Sequence, residues 1–192
     1  MVRDIPNTLT WLRIALIPLF VLLFFLPMWW GRPAAAIVFG IAGLTDWLDG
    51  YLARKYEATT SFGAFLDPVA DKLLVVTALV LLASDSSGAL GIVVTLAATV
   101  IIGREITISA LREWMAELGA RGRVAVSRVG KYKTTAQIIA LLLMLFRDPL
   151  FGLPVYPIGV GFLIVAATLT LWSMVVYLRS AWPFLNEERS GS

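Results

Sequence analysis

The sequence predicts an all-α integral membrane protein of six transmembrane helices, and three observations carry the prediction. Long apolar runs alternate with short polar turns. The chain is 59% hydrophobic and 15% charged, where soluble domains carry about 25% charge, and its mean hydropathy is +0.83. The basic residues are spread unevenly about the apolar runs, as they are in multi-pass proteins. A length of 192 residues leaves room for one domain.

Composition also bounds the chemistry. There is no cysteine and no histidine. Disulfides, thiol nucleophiles, thiolate metal sites and the usual neutral-pH base are therefore excluded. Acid–base work falls to Asp, Glu, Lys, Tyr or a bound water. A metal would be held mainly by oxygen, which favours hard cations such as Mg2+ or Mn2+.

The first span, about 8–28, follows a polar lead of MVRDIPN, with Asn7 or Thr8 as the expected N-cap. Arg13 lies one turn in and Pro18 in the middle. Snorkelling to the interface is one reading of Arg13. PMWWGRP forms a turn whose aromatic pair suits a membrane interface. The second span, about 34–54, ends in a polar stretch that holds Asp46 and Asp49. After the loop RKYEATTSF the third span runs over about 62–83, with Pro68 expected to bend it near Asp67.

SDSSG is the next turn. The fourth span, about 90–118, is apolar to Gly103 and then continues with helical spacing through REITISALREWMAEL, as a membrane helix does when it runs past the bilayer surface. GARGRVAVSRVGKYK is a basic linker. The fifth span, about 132–147, is short against the roughly 20 residues of a full crossing. RDPLFGLP turns the chain into the sixth span, about 155–178, before a polar tail.

Six crossings put both termini on one side. The turns at 27–33, 84–89 and 147–156 then hold only Arg32 and Arg147 of the sixteen Lys and Arg. The excess on the terminal side makes that side cytoplasmic. A cytoplasm-facing site is expected, and no nucleic-acid partner.

The chemistry concentrates in GLTDWLDGYLARKYEATTSFGAFLDPVADKLL, residues 43–74. Asp46 and Asp49 are three apart, and Gly63, Asp67 and Asp71 are four apart, so each set shares a helix face. Two helices joined by a short loop are antiparallel neighbours, and their acidic faces can meet at one depth. Charge at that depth is expensive, and ionisable residues there are functional candidates. Four converging carboxylates repel one another unless cations lie between them. Three readings follow: interfacial acids paired with Arg54, Lys55 and Lys72, an ion-transport site, or a metal site for a phosphorylated substrate. Transport sites usually lie at the midplane between repeats, and no repeat is visible. Two metals can clamp the attacking and leaving oxygens of an in-line displacement.

These residues carry a resemblance. Asp46-x-x-Asp49-Gly50-x-x-Ala53-Arg54, eight residues, then Gly63-x-x-x-Asp67-x-x-x-Asp71 resembles the signature of the CDP-alcohol phosphotransferase family at every defined position. IPNTLTWLR, REITISALREWMAELG, VGKYKTTAQ and LTLWSM extend the likeness to family members whose acceptor is glycerol 3-phosphate, over about residues 5–177. The resemblance implies transfer of a phosphatidyl group from CDP-diacylglycerol to the primary hydroxyl of glycerol 3-phosphate, with release of CMP. It implies that Asp46, Asp49, Asp67 and Asp71 hold two divalent ions against the pyrophosphate and that Asp71 is the general base. It implies that Asn7, Thr10, Asp49, Gly50, Ala53, Arg54 and Gly63 contact CDP-diacylglycerol, and that the protein works among membrane lipids as a homodimer.

The acceptor carries its own phosphate and needs a cationic pocket. Arg104, Arg112, Lys131 and Lys133 are the candidates. Arg104 and Arg112 are eight apart, close to one helix face, and Glu105 and Glu113 could orient them. Lys131 and Lys133 cannot share a face, so one is expected to serve the pocket and the other to meet anionic headgroups. Three rival functions remain at this stage: the same chemistry on inositol phosphate, a divalent-cation transporter, and an intramembrane aspartyl protease.

Overall fold

The computed structural model describes residues 5–56, 61–117 and 129–190. Among the described residues it is helical throughout its regular structure, with six helices: α1 (Ile5–Phe25), α2 (Gly31–Tyr56), α3 (Ser61–Asp85), α4 (Gly88–Glu117), α5 (Val129–Phe146) and α6 (Val155–Ser190). Helix α1 is already wound at Ile5, so Asn7 lies inside its first turn and does not cap it. Helix α6 runs through the polar tail to Ser190. Of the expected turns, RDPLFGLP lies wholly between α5 and α6, whereas PMWWGRP and SDSSG overlap the ends of the flanking helices and α5 begins inside the basic linker, at Val129. Pro18 and Pro68 lie inside α1 and α3.

The chain divides into two compact units, Met1–Asp85 with Leu141–Gly159, and Ser86–Ala140 with Val160–Ser192. In the first, α1 packs along α2 and against α3. Phe20 anchors that contact, with its ring 5.9 Å from Phe39 and 6.4 Å from Phe24. Ala35, Phe39 and Ala42 of α2 are buried at spacings of four and three, and Ala70, Leu74, Ala78 and Leu82 of α3 at spacings of four. Small residues allow the close helix approach that replaces hydrophobic driving force in a membrane. Gly31 shows the same constraint at a turn, since a Cβ there would lie 2.7 Å from the carbonyl oxygen of Leu26.

Asp85, at the end of α3, gathers two arginines. Arg32 pairs with it at 2.6 Å and Arg147 also bonds to it. The Arg32 guanidinium rests 3.6 Å above the Phe24 ring. The turn after α5 is tight. Arg147, Phe151 and Gly152 have positive φ, and Leu150 bridges Leu153. Glycine takes such a φ without steric cost, which suits Gly152 to the tip.

In the second unit the buried residues of α4 are Gly91, Val94, Ala97, Ala98, Ile101, Ile108 and Met115, and those of α6 are Val160, Leu163, Ala166, Ala167, Thr170, Ser173 and Tyr177. Thr170 and Ser173 donate to backbone carbonyls of their own helix, to Ala166 and Thr170, which satisfies the hydroxyls inside the core. The opposite faces are also apolar. Ile92, Leu96 and Trp172 are more than 60% exposed. Helices apolar on every side are buried in a large core or in a membrane. Helix α4 and the Val155–Arg179 part of α6 are long and apolar enough to cross one, and the stretches Thr10–Phe25, Gly31–Thr45 and Tyr132–Phe146 are apolar but shorter. This pattern fits a membrane protein.

Candidate active site

Helix α2 continues unbroken through Asp46, Asp49, Gly50, Ala53 and Arg54 to Tyr56, and α3 is wound from Ser61 through Gly63, Asp67 and Asp71. The three- and four-residue spacings therefore fall on helical backbone, which is what gives each acidic pair a common face. The side chains of Asn7, Asp46, Asp49, Ala53, Arg54, Asp67 and Lys131 lie outside the described residues, as does the packing of Gly50 and Gly63. Asp71 is exposed, and the following residues, Lys72 and Leu73, lead into the buried Leu74.

Helix α1 brings two polar side chains into this unit. Thr10 and Arg13, three apart on one face, are both 0% exposed. The burial overturns the snorkelling reading of Arg13: the guanidinium stays inside a unit in which α1 packs against α2 and α3. No pattern in the sequence separates this arginine from one that reaches the surface. Thr10, one turn earlier on the same face, is buried with it.

The second unit holds a separate cluster of charge. Glu105 Oε1 accepts from Arg104 Nη1 at 2.7 Å and from Lys133 Nζ at 2.8 Å. Lys133 is 4% exposed, so its ammonium is held in place by this bond and by burial. Two cations share one carboxylate, leaving one positive charge in excess. Arg104 Nε is buried and has no hydrogen-bond partner among the described residues. Arg104 and Arg112 both lie over the ring of Tyr177, at 5.8 and 5.9 Å from its centroid. Three of the four sequence candidates are thus gathered around Glu105 and Tyr177. Glu113 is exposed, and no ion pair involves it among the described residues. Of the two lysines, Lys133 is the inward one for which a position is described. Tyr177 is the residue that the sequence reading did not find. It is an aromatic near the end of an apolar span, indistinguishable there from an interfacial anchor.

A cluster with excess positive charge and a buried unsatisfied guanidinium nitrogen suits a planar or tetrahedral oxyanion, since Arg binds phosphate and carboxylate through paired N–H donors. The acidic helices suit the complementary component, a hard cation.

Comparison with known proteins agrees with the signature. Residues 3–177 match the model of the CDP-alcohol phosphatidyltransferase family. A CDP-diacylglycerol–glycerol-3-phosphate 3-phosphatidyltransferase of Pseudomonas fluorescens is 54% identical over 186 residues, covering 96% of this chain and 93% of the relative. The proteins of that name from Escherichia coli K12 and Shigella flexneri are each 53% identical over 178 residues, covering 93% of this chain and 94% of the relative. The chain belongs to the CDP-alcohol phosphatidyltransferase family.

Proposed function

We propose that the protein transfers the phosphatidyl group of CDP-diacylglycerol to the primary hydroxyl of glycerol 3-phosphate, giving phosphatidylglycerol phosphate and CMP. The observation that carries this reading is the 54% identity to the Pseudomonas fluorescens enzyme over 96% of the chain. The unbroken family signature on α2 and α3 supports it.

In the reaction, the primary hydroxyl oxygen attacks the phosphorus that bears the diacylglycerol. Its proton passes to Asp71, the bond from that phosphorus to the oxygen of the CMP phosphate breaks, and CMP leaves with that oxygen. A free aspartate has a pKa near 3.9. Histidine is absent from the chain, so a carboxylate is the base that composition allows. Asp46, Asp49, Asp67 and Asp71 are the donors for divalent ions, two by family resemblance and Mg2+ or Mn2+ by the all-oxygen donor set. Bound there, the ions neutralise the pyrophosphate and stabilise charge on the attacking and leaving oxygens.

Arg54, with Gly50, Ala53 and Gly63, serves the nucleotide side, because small residues let a ligand approach the helix backbone. Asn7 and Thr10 of α1 serve the cytidine side. Arg104, Arg112 and Lys133, with Lys131, serve the phosphate of the acceptor. The reading includes six crossings of the bacterial inner membrane, cytoplasmic termini, a cytoplasm-facing site and a homodimer.

The test is CMP release by the purified protein given CDP-diacylglycerol, Mg2+ and one of glycerol 3-phosphate, inositol phosphate or serine. Release with glycerol 3-phosphate is expected. No release with any acceptor sinks the reaction class, and release with inositol phosphate alone sinks the acceptor.

A further inference from the structure

The cationic cluster contains an aromatic ring that the proposed mechanism does not use. Tyr177 of α6 is 7% exposed. The guanidinium carbons of Arg104 and Arg112 lie 5.8 and 5.9 Å from its centroid, at the outer edge of cation–π range. The two arginines are eight residues apart on α4, a rise of about 12 Å, yet their side chains converge on one ring. Two cations drawn to one point repel each other. Glu105 engages Arg104 through Nη1, while Arg112 forms no ion pair among the described residues. Arg104 Nε is buried without a partner. The convergence thus leaves one buried guanidinium donor, Arg104 Nε, unmet and positive charge in excess. Arg112 is exposed, and the electron-rich ring is the group that both arginines share.

We infer that Tyr177 is a positioning residue whose ring holds Arg104 and Arg112 as a preformed clamp for a phosphate monoester. The inference rests on the reading that this cluster takes the phosphate of the acceptor. Without the ring, Arg104 is still held by Glu105, but the exposed Arg112 must be ordered when the ligand binds, and affinity falls. The ring does not touch the reacting hydroxyl, so the loss belongs to acceptor binding and not to the chemical step.

The experiment compares Tyr177→Phe, which keeps the ring, with Tyr177→Leu, which removes it, in the full-length enzyme with Mg2+. KM and kcat are measured for each substrate through CMP release, and thermal unfolding reports folding. Tyr177→Leu is expected to raise KM for glycerol 3-phosphate about tenfold, the size of one lost ordering contact. KM for CDP-diacylglycerol and kcat should change by less than about twofold, and Tyr177→Phe should behave as the parent. If Tyr177→Leu does not fold, Tyr177→Met, unbranched and able to fill an irregular gap but equally without a π face, takes its place with the same expectation. An unchanged KM for glycerol 3-phosphate in the ring-less variant overturns the inference. So does an equal rise in both KM values, or a Phe variant as impaired as the Leu variant. Arg104→Gln and Arg112→Gln separate the two levels. If neither raises KM for glycerol 3-phosphate, the acceptor-pocket reading itself fails. If they do and loss of the ring does not, only the role of Tyr177 fails.

Discussion

Lys133 of α5 donates to Glu105 of α4 across 2.8 Å, with its own side chain 5% exposed and that of Glu105 25% exposed. The bond joins two helices 28 positions apart in sequence, and its acceptor oxygen is the one that also receives Arg104. Glu105 is therefore the counter-charge that lets two cations lie side by side.

Glu105→Gln should leave Lys133 and Arg104 facing each other without a carboxylate. Breaking a buried pair by removing one partner costs about 3–5 kcal/mol. The partial exposure of Glu105 lowers the expectation to about 2 kcal/mol. Thermal unfolding in detergent should show a clearly lower midpoint. Lys133→Met should destabilise less, because Glu105 keeps Arg104. The reverse order would contradict the assigned role of Glu105.

Asp85 is the contrasting case. It also serves two arginines, but Arg147 has a side chain 49% exposed and Asp85 one that is 26% exposed. Pairs screened to this extent contribute about 0–1 kcal/mol. Arg147→Gln, which leaves the Arg32–Asp85 pair in place, should lower stability by less than about 1 kcal/mol, and the same unfolding measurement checks it. A loss as large as that of Glu105→Gln would show that the Asp85 network is shielded from solvent.

Asp71→Asn removes the proposed base while keeping the shape of the side chain. General-base catalysis contributes about 10²–10⁴-fold, so turnover should fall by at least about 10²-fold. Binding of CDP-diacylglycerol, measured by calorimetry, should remain detectable. Full turnover in this variant would remove Asp71 from the base role.

Chelation with EDTA should abolish CMP release, and added Mg2+ should restore it. Asp46→Asn and Asp67→Asn should raise the Mg2+ concentration needed for half-maximal activity, since each takes a charged oxygen from the proposed donor set. An unchanged metal requirement in both variants would place the ions elsewhere.

Arg104→Ala should raise KM for glycerol 3-phosphate more than KM for CDP-diacylglycerol. The reason is that the cluster around Glu105 carries an excess positive charge suited to phosphate. Steady-state kinetics with each substrate varied in turn would decide it, and equal effects on both would count against the residue.

The helical class, the apolar spans and the family signature are legible in the chain without any fold. Apolar runs are local, and so are acidic residues three or four apart on a helix, because the helical period alone puts them on one face. The positions of Asp46, Asp49, Asp67 and Asp71 could be read for that reason. Tertiary structure alone decided the rest. It turned Arg13 inward, because burial depends on which helices cover α1 and not on the residue's own neighbours in sequence. It chose Lys133 as the partner of Glu105. It brought Tyr177 beneath Arg104 and Arg112, 73 and 65 positions away in the chain. Contacts at such separations are set by helix packing, which leaves no periodic trace in the sequence.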